Sequence, residues 1–302
     1  MNSHNPLVSI ICHCYNHEKF VVDSLNSVLN QIYTTIEIII VDDCSNDNSV
    51  SVIIDFVAKH PEIIFIRNTQ NLGITKSFNN ALKTAKGEFI IDLATDDILL
   101  PDCIALQVAT FQNSPYKNLA IVYGNAELIA ENGKFKSYFF EVNASKKVIT
   151  KRPTGAIYAT IITSGKTFCS VSGMIKRDVY DTLNGYDERL EYEDYDFWIR
   201  ASRDHEIDFI DEILIQKRVV TDSLETYFFK KNNARAKKIN HSTHLILKKV
   251  VQMNRNKTED LALQKRVHYE IIHCWKNKNY SLLFKNLSLR IVLSWRKNFK
   301  TY

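Results

Sequence analysis

Ile36-Glu-Ile-Ile-Ile-Val41-Asp42-Asp43 decides the fold. Ile38 to Val41 are four β-branched residues with no polar alternation, so the strand they form must be covered on both faces, the setting of a parallel sheet between helices. The flanking sequence repeats this logic. Upstream, Leu7–Cys12 reads as a strand, and Glu18–Gln31 as a helix with Val21, Leu25, Val28 and Leu29 on one face. Downstream come a helix after Asp47 with Val50, Ile53, Ile54 and Val57 on one face, and a strand at Ile63–Arg67. A third helix buries Phe78, Ala81, Leu82 and Ala85 and is closed by Gly87, and Glu88–Leu93 is a fourth strand. Alternating strands and helices predict an α/β chain with a Rossmann-like, mostly parallel central sheet and flanking helices. Ligands of such sheets bind beyond the carboxyl ends of the strands, and here those ends are acidic.

Further along, Pro101 suits a helix start, while Leu119–Tyr123, the Asn132-Gly133 turn and Lys134–Val142 predict an antiparallel excursion. Residues 143–167 are polar and aperiodic, the pattern of a mobile loop near an active site or an acceptor. Helical periodicity returns at Asp194–Arg203 and dominates from about Tyr227. Charge divides the 302-residue chain as well. From Thr226 to Tyr302 there are 18 Lys and Arg against three Asp and Glu, a net +15, which leaves −10 for residues 1–225 of the formal total of +5. The expected division is therefore a catalytic domain at 1–225 and a basic helical extension at 226–302.

A hydrophobic content of 45% supports a real core. The six cysteines are scattered without metal-pair or redox spacing, as expected for free thiols in a reducing cytosol. Neither an export signal nor an apolar run of about 18 residues is found, so a cytoplasmic protein is expected, either soluble or surface-bound, in the second case peripheral on the inner face of the cell membrane.

Three acidic clusters carry chemistry: Asp42-Asp43 after the second strand, Asp96-Asp97 after the fourth, and Glu193-Asp194 ahead of a helix. One such pair alone is an ordinary turn or cap. Several at one rim of a sheet beside a phosphate-bearing ligand call for a hard cation, and Mn²⁺ or Mg²⁺ on one or two carboxylates plus phosphate oxygens meets that need.

These segments resemble the large inverting family 2 of glycosyltransferases. The resemblance rests on Val8-Ser-Ile-Ile-Cys-His-Cys-Tyr15-Asn16, Ile39-Ile-Val-Asp42-Asp43-Cys-Ser45, Asn71-Leu-Gly73 through Glu88-Phe-Ile, and Thr95-Asp96-Asp97-Ile-Leu-Leu-Pro101-Asp102. Gly185-Tyr-Asp187 and Glu193-Asp194-Tyr-Asp196-Phe-Trp198-Ile-Arg200 complete it. It covers about residues 7–215 and implies an A-type glycosyltransferase fold, here with a helical C-terminal extension, that takes a nucleotide-sugar donor. By that resemblance Tyr15, Asn16, Asp42, Asp43, Lys76 and Asp96 bind the nucleotide, with Tyr15 and Asp43 at a base expected to be uracil. Asp96 and Asp97 take the metal, and Asp194 is the general base of a single inverting displacement. The acceptor implied is a glycan or lipid-linked hydroxyl in cell-surface polysaccharide or glycoconjugate synthesis. Three positions depart from the pattern: Ala94 replaces an Asp, His13 a Pro and Phe78 an Arg.

Plain structural readings compete at several positions. Asp187 and Asp196 read as cap and surface residues, Trp198 as core, His13 as packed, and Cys169–Gly173 equally as a buried strand or an acceptor-pocket wall. In the tail, Leu283, Leu287, Ile291 and Trp295 form a stripe bounded by Lys285, Arg290, Arg296 and Lys297. That stripe suits a membrane surface, and equally packing on the catalytic domain or a homodimer partner. No nucleic-acid-binding module accompanies the charge, so no nucleic acid is expected. The alternative to an enzyme is a non-catalytic sugar-nucleotide-binding or scaffold protein whose metal motif is degenerate at Ala94.

Overall fold

Strand β1 (Val8–Cys14) is buried along its whole length, and its neighbours explain why. It pairs in parallel with β2 (Ile36–Asp42) on one side and with β4 (Phe89–Ala94) on the other, and β2 pairs in parallel with β3 (Ile64–Arg67). The computed structural model describes residues 5–164, 167–220, 224–231 and 233–299. The expectations resting on residues 1–4, on 165–166 within the segment 143–167, and on the Lys297 side chain lie outside what it describes.

The chain forms two compact units. The first comprises residues 1–155, 169–186 and 205–220, and the second 156–168, 187–204 and 221–302. The second unit thus begins well before residue 226, from chain segments whose sequence is not basic.

The first unit holds one nine-stranded sheet in the order β3-β2-β1-β4-β8-β6-β9-β5, with β7 beside β6. Here β5 is Ile98–Leu99, β6 Leu119–Ala130, β7 Phe135–Tyr138, β8 Met174–Lys176 and β9 Glu206–Val219. The part from β3 to β4 is parallel. Beyond it the sheet is mixed, with β8 antiparallel to both β4 and β6 while β9 runs parallel to β6. Helices α1 (Val21–Leu29), α2 (Ser49–Val57), α3 (Ile74–Leu82) and α4 (Cys103–Asn113) follow in the predicted places, and α6 (Arg177–Leu183) adds a fifth. Ile10, Ile11, Ile39, Ile40, Ile90 and Ile91 are fully buried, as unbroken apolar strands require. Strand order reverses at β1, which puts the crevice of such a sheet at the carboxyl ends of β1 and β4.

Three local expectations change. Helix α3 ends at Leu82, so Gly87 does not close it; instead its backbone N–H donates to Ser9 Oγ at 2.7 Å, and a Cβ there would meet the Ser9 backbone nitrogen at 2.5 Å. The segment from 143 is tied down: Lys147 Nζ donates to the Asp211 carbonyl at 2.8 Å and pairs with Glu212, and the Val148 N–H donates to Asp211 Oδ1 at 2.8 Å. It also contains helix α5 (Tyr158–Thr163). Residues 170–172 form a 3-10 turn, in which the buried Ser172 Oγ donates to the Gly124 carbonyl at 2.8 Å, so Cys169–Gly173 is not a strand.

The second unit is helical: α5, α7 (Asp194–Ser202), α8 (Leu224–Tyr227), α9 (Ala234–Met253), α10 (Lys257–Lys276) and α11 (Tyr280–Phe299). Asn233 and Asn256 cap α9 and α10, each accepting a backbone N–H three residues on. Trp198 stacks on Phe168 at 4.2 Å and is buried, the core role. Among the described residues no helix is long and apolar enough to cross a membrane. All six cysteines are free.

Candidate functional site

At the carboxyl ends of β1, β2 and β4 the three following loops are sewn together by side chains. Asn16 (φ +60°) and Cys44 (φ +62°) take the left-handed conformation, which turns both loops sharply after their strands. The Asn16 N–H donates to Ser45 Oγ at 2.9 Å, and the Asn46 N–H returns a bond to Asn16 Oδ1 at 2.8 Å. Ser45 is itself held by Asp42, whose Oδ2 accepts from the hydroxyl at 2.5 Å and whose Oδ1 accepts from the Ser45 N–H at 3.0 Å. Asp42 is fully buried and therefore builds the loop. The loop after β4 joins through Thr95, whose hydroxyl donates to the His13 carbonyl at 2.8 Å and meets His17 Nδ1 at 2.9 Å. Tyr15 is left with an exposed ring at this rim.

Asp43 points into the fold. Its Oδ1 accepts from Asn68 Nδ2, the Leu72 N–H and Ser77 Oγ at 2.8–2.9 Å, and its Oδ2 from the Gly73 N–H at 2.8 Å. Four donors on one nearly buried carboxylate clamp the turn that starts α3, where Gly73 has φ +82°. Lys76 then stands exposed in the first turn of that helix. Removing the clamp leaves several buried donors unpaired, so Asp43→Ala should cost about 3 kcal/mol, at 1–3 kcal/mol for each group left unsatisfied. Urea unfolding reads this directly, and an unchanged midpoint would refute the clamp.

The paired carboxylates after β4 are unlike each other. Asp96 is half-buried, whereas Asp97 is buried and its Oδ1 accepts the Arg218 N–H at 2.8 Å. Burial first, and the neighbouring charge of Asp96 second, push the Asp97 carboxyl well above the usual range. Arg218, near the end of β9, straps this turn. Its Nε donates to the Asp96 carbonyl at 2.9 Å, its Nη1 to the carbonyls of Glu131 at 2.7 Å and Ala130 at 3.3 Å, and its guanidinium lies 4.6 Å above the Phe20 ring. Nothing in the local sequence around Arg218 marks it. Two carboxylates of which one is accessible suit Mg²⁺ or Mn²⁺ held jointly with phosphate oxygens. Among the described residues no group of three His, Cys, Asp or Glu is arranged to hold a metal by itself.

Behind the rim, His13 Nε2 pairs with Asp92 Oδ1 at 2.6 Å, and Tyr186 OH donates to Asp92 Oδ2 at 2.7 Å. Asn79 fixes Tyr186 at both ends, accepting its N–H at 2.8 Å and donating to its carbonyl at 2.9 Å. His13 is thus packed, against Phe78 at 5.6 Å, and the Gly185-Tyr186 signature serves this network.

Asp194 belongs to the second unit, as the first residue of α7, and its Oδ1 accepts the Tyr195 N–H at 2.6 Å. Asp187 makes a cap's bond, accepting the Arg189 N–H at 3.0 Å, whereas Asp196 is buried and so is not a surface residue. Lys249 Nζ lies 2.5 Å from a carboxylate oxygen of each, Arg189 Nη2 is 2.6 Å from Asp187, and Arg200 Nε is 2.7 Å from the buried Asp196. The Arg189 hydrogen bonds, chiefly, and those of Lys249 hold the Asp187 carboxyl well below its ordinary value of 3.8. A depressed folded-state pKa gives stability that is present above the unfolded value and lost as pH falls from there through the folded one. Acid melts from pH 7 downward should therefore show a smaller loss in Asp187→Asn than in the parent chain; equal losses would refute the pairing.

The model of the family described as Glycosyl transferase family 2 matches residues 9–183. The uncharacterized glycosyltransferase MJ1057 of Methanocaldococcus jannaschii is 32% identical over 71% of this chain and 71% of its own length. The chondroitin synthase of Escherichia coli is 29% identical over 65% of this chain, but only 26% of that protein is covered. Among solved structures, S. aureus TarS 1-349 in complex with UDP-GlcNAc matches with a TM-score of 0.65 at 19% identity, covering 86% of this chain and 71% of that one. The mannosyltransferase PcManGT of Pyrobaculum calidifontis, in complex with GDP-Man and Mn²⁺, matches with a TM-score of 0.63 at 14% identity, covering 99% and 77%.

Proposed function

The chain belongs to glycosyl transferase family 2 and has the A-type glycosyltransferase fold, and from that premise we propose that it is an inverting enzyme using a nucleoside-diphosphate sugar, with uridine as the base. The acceptor is a hydroxyl of a glycan or lipid-linked glycan in cell-surface polysaccharide or glycoconjugate synthesis. One observation carries the reading: the rim at the ends of β1, β2 and β4, where buried carboxylates fix three loops and leave Tyr15, Lys76 and Asp96 accessible. Residues 1–225 supply the catalytic part.

In this reading the base stacks on the Tyr15 ring, within loops that Asn16, Asp42 and Asp43 hold in shape. Asp43 acts through the turn it clamps, since its oxygens already accept four bonds. Lys76 offsets the charge that develops on the departing diphosphate. Asp96 would hold Mn²⁺ or Mg²⁺, with Asp97 supporting the turn beneath it, and the bound cation would supply further neutralisation of the leaving group. Asp194 accepts the proton of the acceptor hydroxyl as that oxygen attacks the anomeric carbon from the side opposite the leaving group, which inverts the centre in one displacement.

The second reading, a sugar-nucleotide-binding scaffold, draws on Ala94. A panel of nucleotide sugars screened by thermal shift with and without Mn²⁺ separates the two when combined with a transfer assay. A true donor at a hundred times its Kd stabilises the folded state by about 2.7 kcal/mol. Stabilisation without any transfer or donor hydrolysis would favour the scaffold, and stabilisation by no nucleotide sugar would defeat both.

A further inference from the structure

Helices α10 and α11 share an outer face that carries exposed apolar side chains. On α11, Phe284, Ile291 and Trp295 are 66%, 69% and 60% exposed. Their spacing of seven and eleven residues puts all three within about 20° of one line along a helix of 3.6 residues per turn. The stripe read from sequence is thereby split. Leu283 is buried and Leu287 half-buried against Cys274, Leu282 and Ile271, while Ile291 and Trp295 face outward with Phe284. On α10, Trp275 is 65% exposed, and Ile272 lies on the same outer side. Arg290 Nη1 meets His268 Nδ1 at 3.2 Å, and the Trp275 and Tyr280 rings lie 6.0 Å apart, so the outer faces of the two helices adjoin.

The charge on this surface has one sign. The only acids of the two helices, Glu259, Asp260 and Glu270, are buried, and each is paired with an arginine: Arg203 at 2.8 Å, Arg296 at 3.1 Å and Arg266 at 2.8 Å. Lys265, Lys276, Lys278, Lys285 and Arg290 remain exposed with no carboxylate of either helix outside to offset them. Exposed tryptophans and a phenylalanine amid uncompensated cations match the chemistry of a bilayer interface. Aromatic rings take the headgroup level there, and anionic lipids attract the basic flank. A second copy of this chain would bring the same cations against one another.

We propose that the outer face of the α10–α11 hairpin docks flat on an anionic lipid surface. Phe284, Ile291, Trp275 and Trp295 enter the interface, and the lysines contact acidic headgroups.

The test uses the full chain without donor or acceptor, so its outcome is independent of whether transfer occurs. Vesicles of phosphatidylcholine alone are compared with vesicles that also contain phosphatidylglycerol, by sedimentation and tryptophan fluorescence. Of the three tryptophans, Trp198 is buried, so a blue shift on adding vesicles reports Trp275 and Trp295. Binding is expected only to the anionic vesicles and should weaken with salt. Replacing Trp275, Phe284, Ile291 and Trp295 by Ser should weaken it by at least about tenfold, and replacing Lys265, Lys276 and Lys285 by Gln should do the same. If the apolar variant misfolds, the charge variant and the parent chain's blue shift still decide. Three results would overturn the proposal: no binding to anionic vesicles, unweakened binding by the charge variant, or self-association through these residues in place of vesicle binding.

Discussion

On the proposed role of Asp194, Asp194→Asn is expected to lower glycosyl transfer by about 10²–10⁴-fold, the usual contribution of a positioned general base, and to leave nucleotide-sugar binding intact. The substitution keeps an oxygen where Asp194 Oδ1 accepts the Tyr195 N–H, so α7 retains its first-turn bond. What it removes is the capacity to take a proton. An anionic side chain also suits the first turn of a helix, so a stability change of a few tenths of a kcal/mol is expected from the lost charge. Single-turnover assays with saturating donor, run beside calorimetric titration of the nucleotide sugar, separate the two effects. Transfer at the parent rate would remove Asp194 from the mechanism, and loss of donor binding would reassign it to the donor site.

The second large effect concerns Arg218. Arg218→Met keeps an unbranched apolar stem but deletes the bonds to the carbonyls of Asp96, Ala130 and Glu131 and the cation over Phe20. Hydrogen bonds to a charged group contribute about 1.5–3 kcal/mol each, and they are not additive within one network, so a loss of about 3 kcal/mol is expected. The Asp96-Asp97 turn would also lose its strap, so any gain in donor affinity on adding Mn²⁺ should shrink more than affinity measured without metal. Arg218→Lys retains the charge and lacks the planar fork, so it should recover only a minor part of either loss. Denaturant midpoints and donor titrations with and without Mn²⁺ supply the check. A variant as stable as the parent, with the same metal response, would show that the strap does not matter.

Much of the architecture is legible in the sequence because burial on both faces leaves unbroken runs such as Ile38–Val41, and the helices between them keep a period near 3.6. The acidic rim was visible for the same reason, since polar residues immediately after an apolar strand stand at its carboxyl end. What could not be read was direction. Asp96 and Asp97 are adjacent and chemically alike, and only Arg218, about 120 residues later on β9, makes one of them a support and leaves the other accessible. Asp43 gives no local hint that it turns inward, because its four donors come from residues 68–77. Gly87 reads as a helix end because a glycine after a helical run has two uses, and the close approach of β1 is a tertiary fact. The tail stripe was split because helical spacing identifies which residues share a face, but not which of two apolar arcs meets a neighbour.

Assembly of the second unit out of three separated segments has a consequence for biosynthesis. Tyr158 on α5 donates to Asn254 and lies under Arg203, which pairs with Glu259, and the Tyr195 ring on α7 is covered by Arg266 of α10. On the ribosome α5 and α7 are made first, and roughly seventy residues, about 4–15 s of translation, pass before the last turn of α10 exists. During that interval a nascent chain presents apolar helices that have no native cover. A terminated product lacking the last helices would present them permanently, so quality control should recognise it by that exposed surface even when every strand of the sheet has been made.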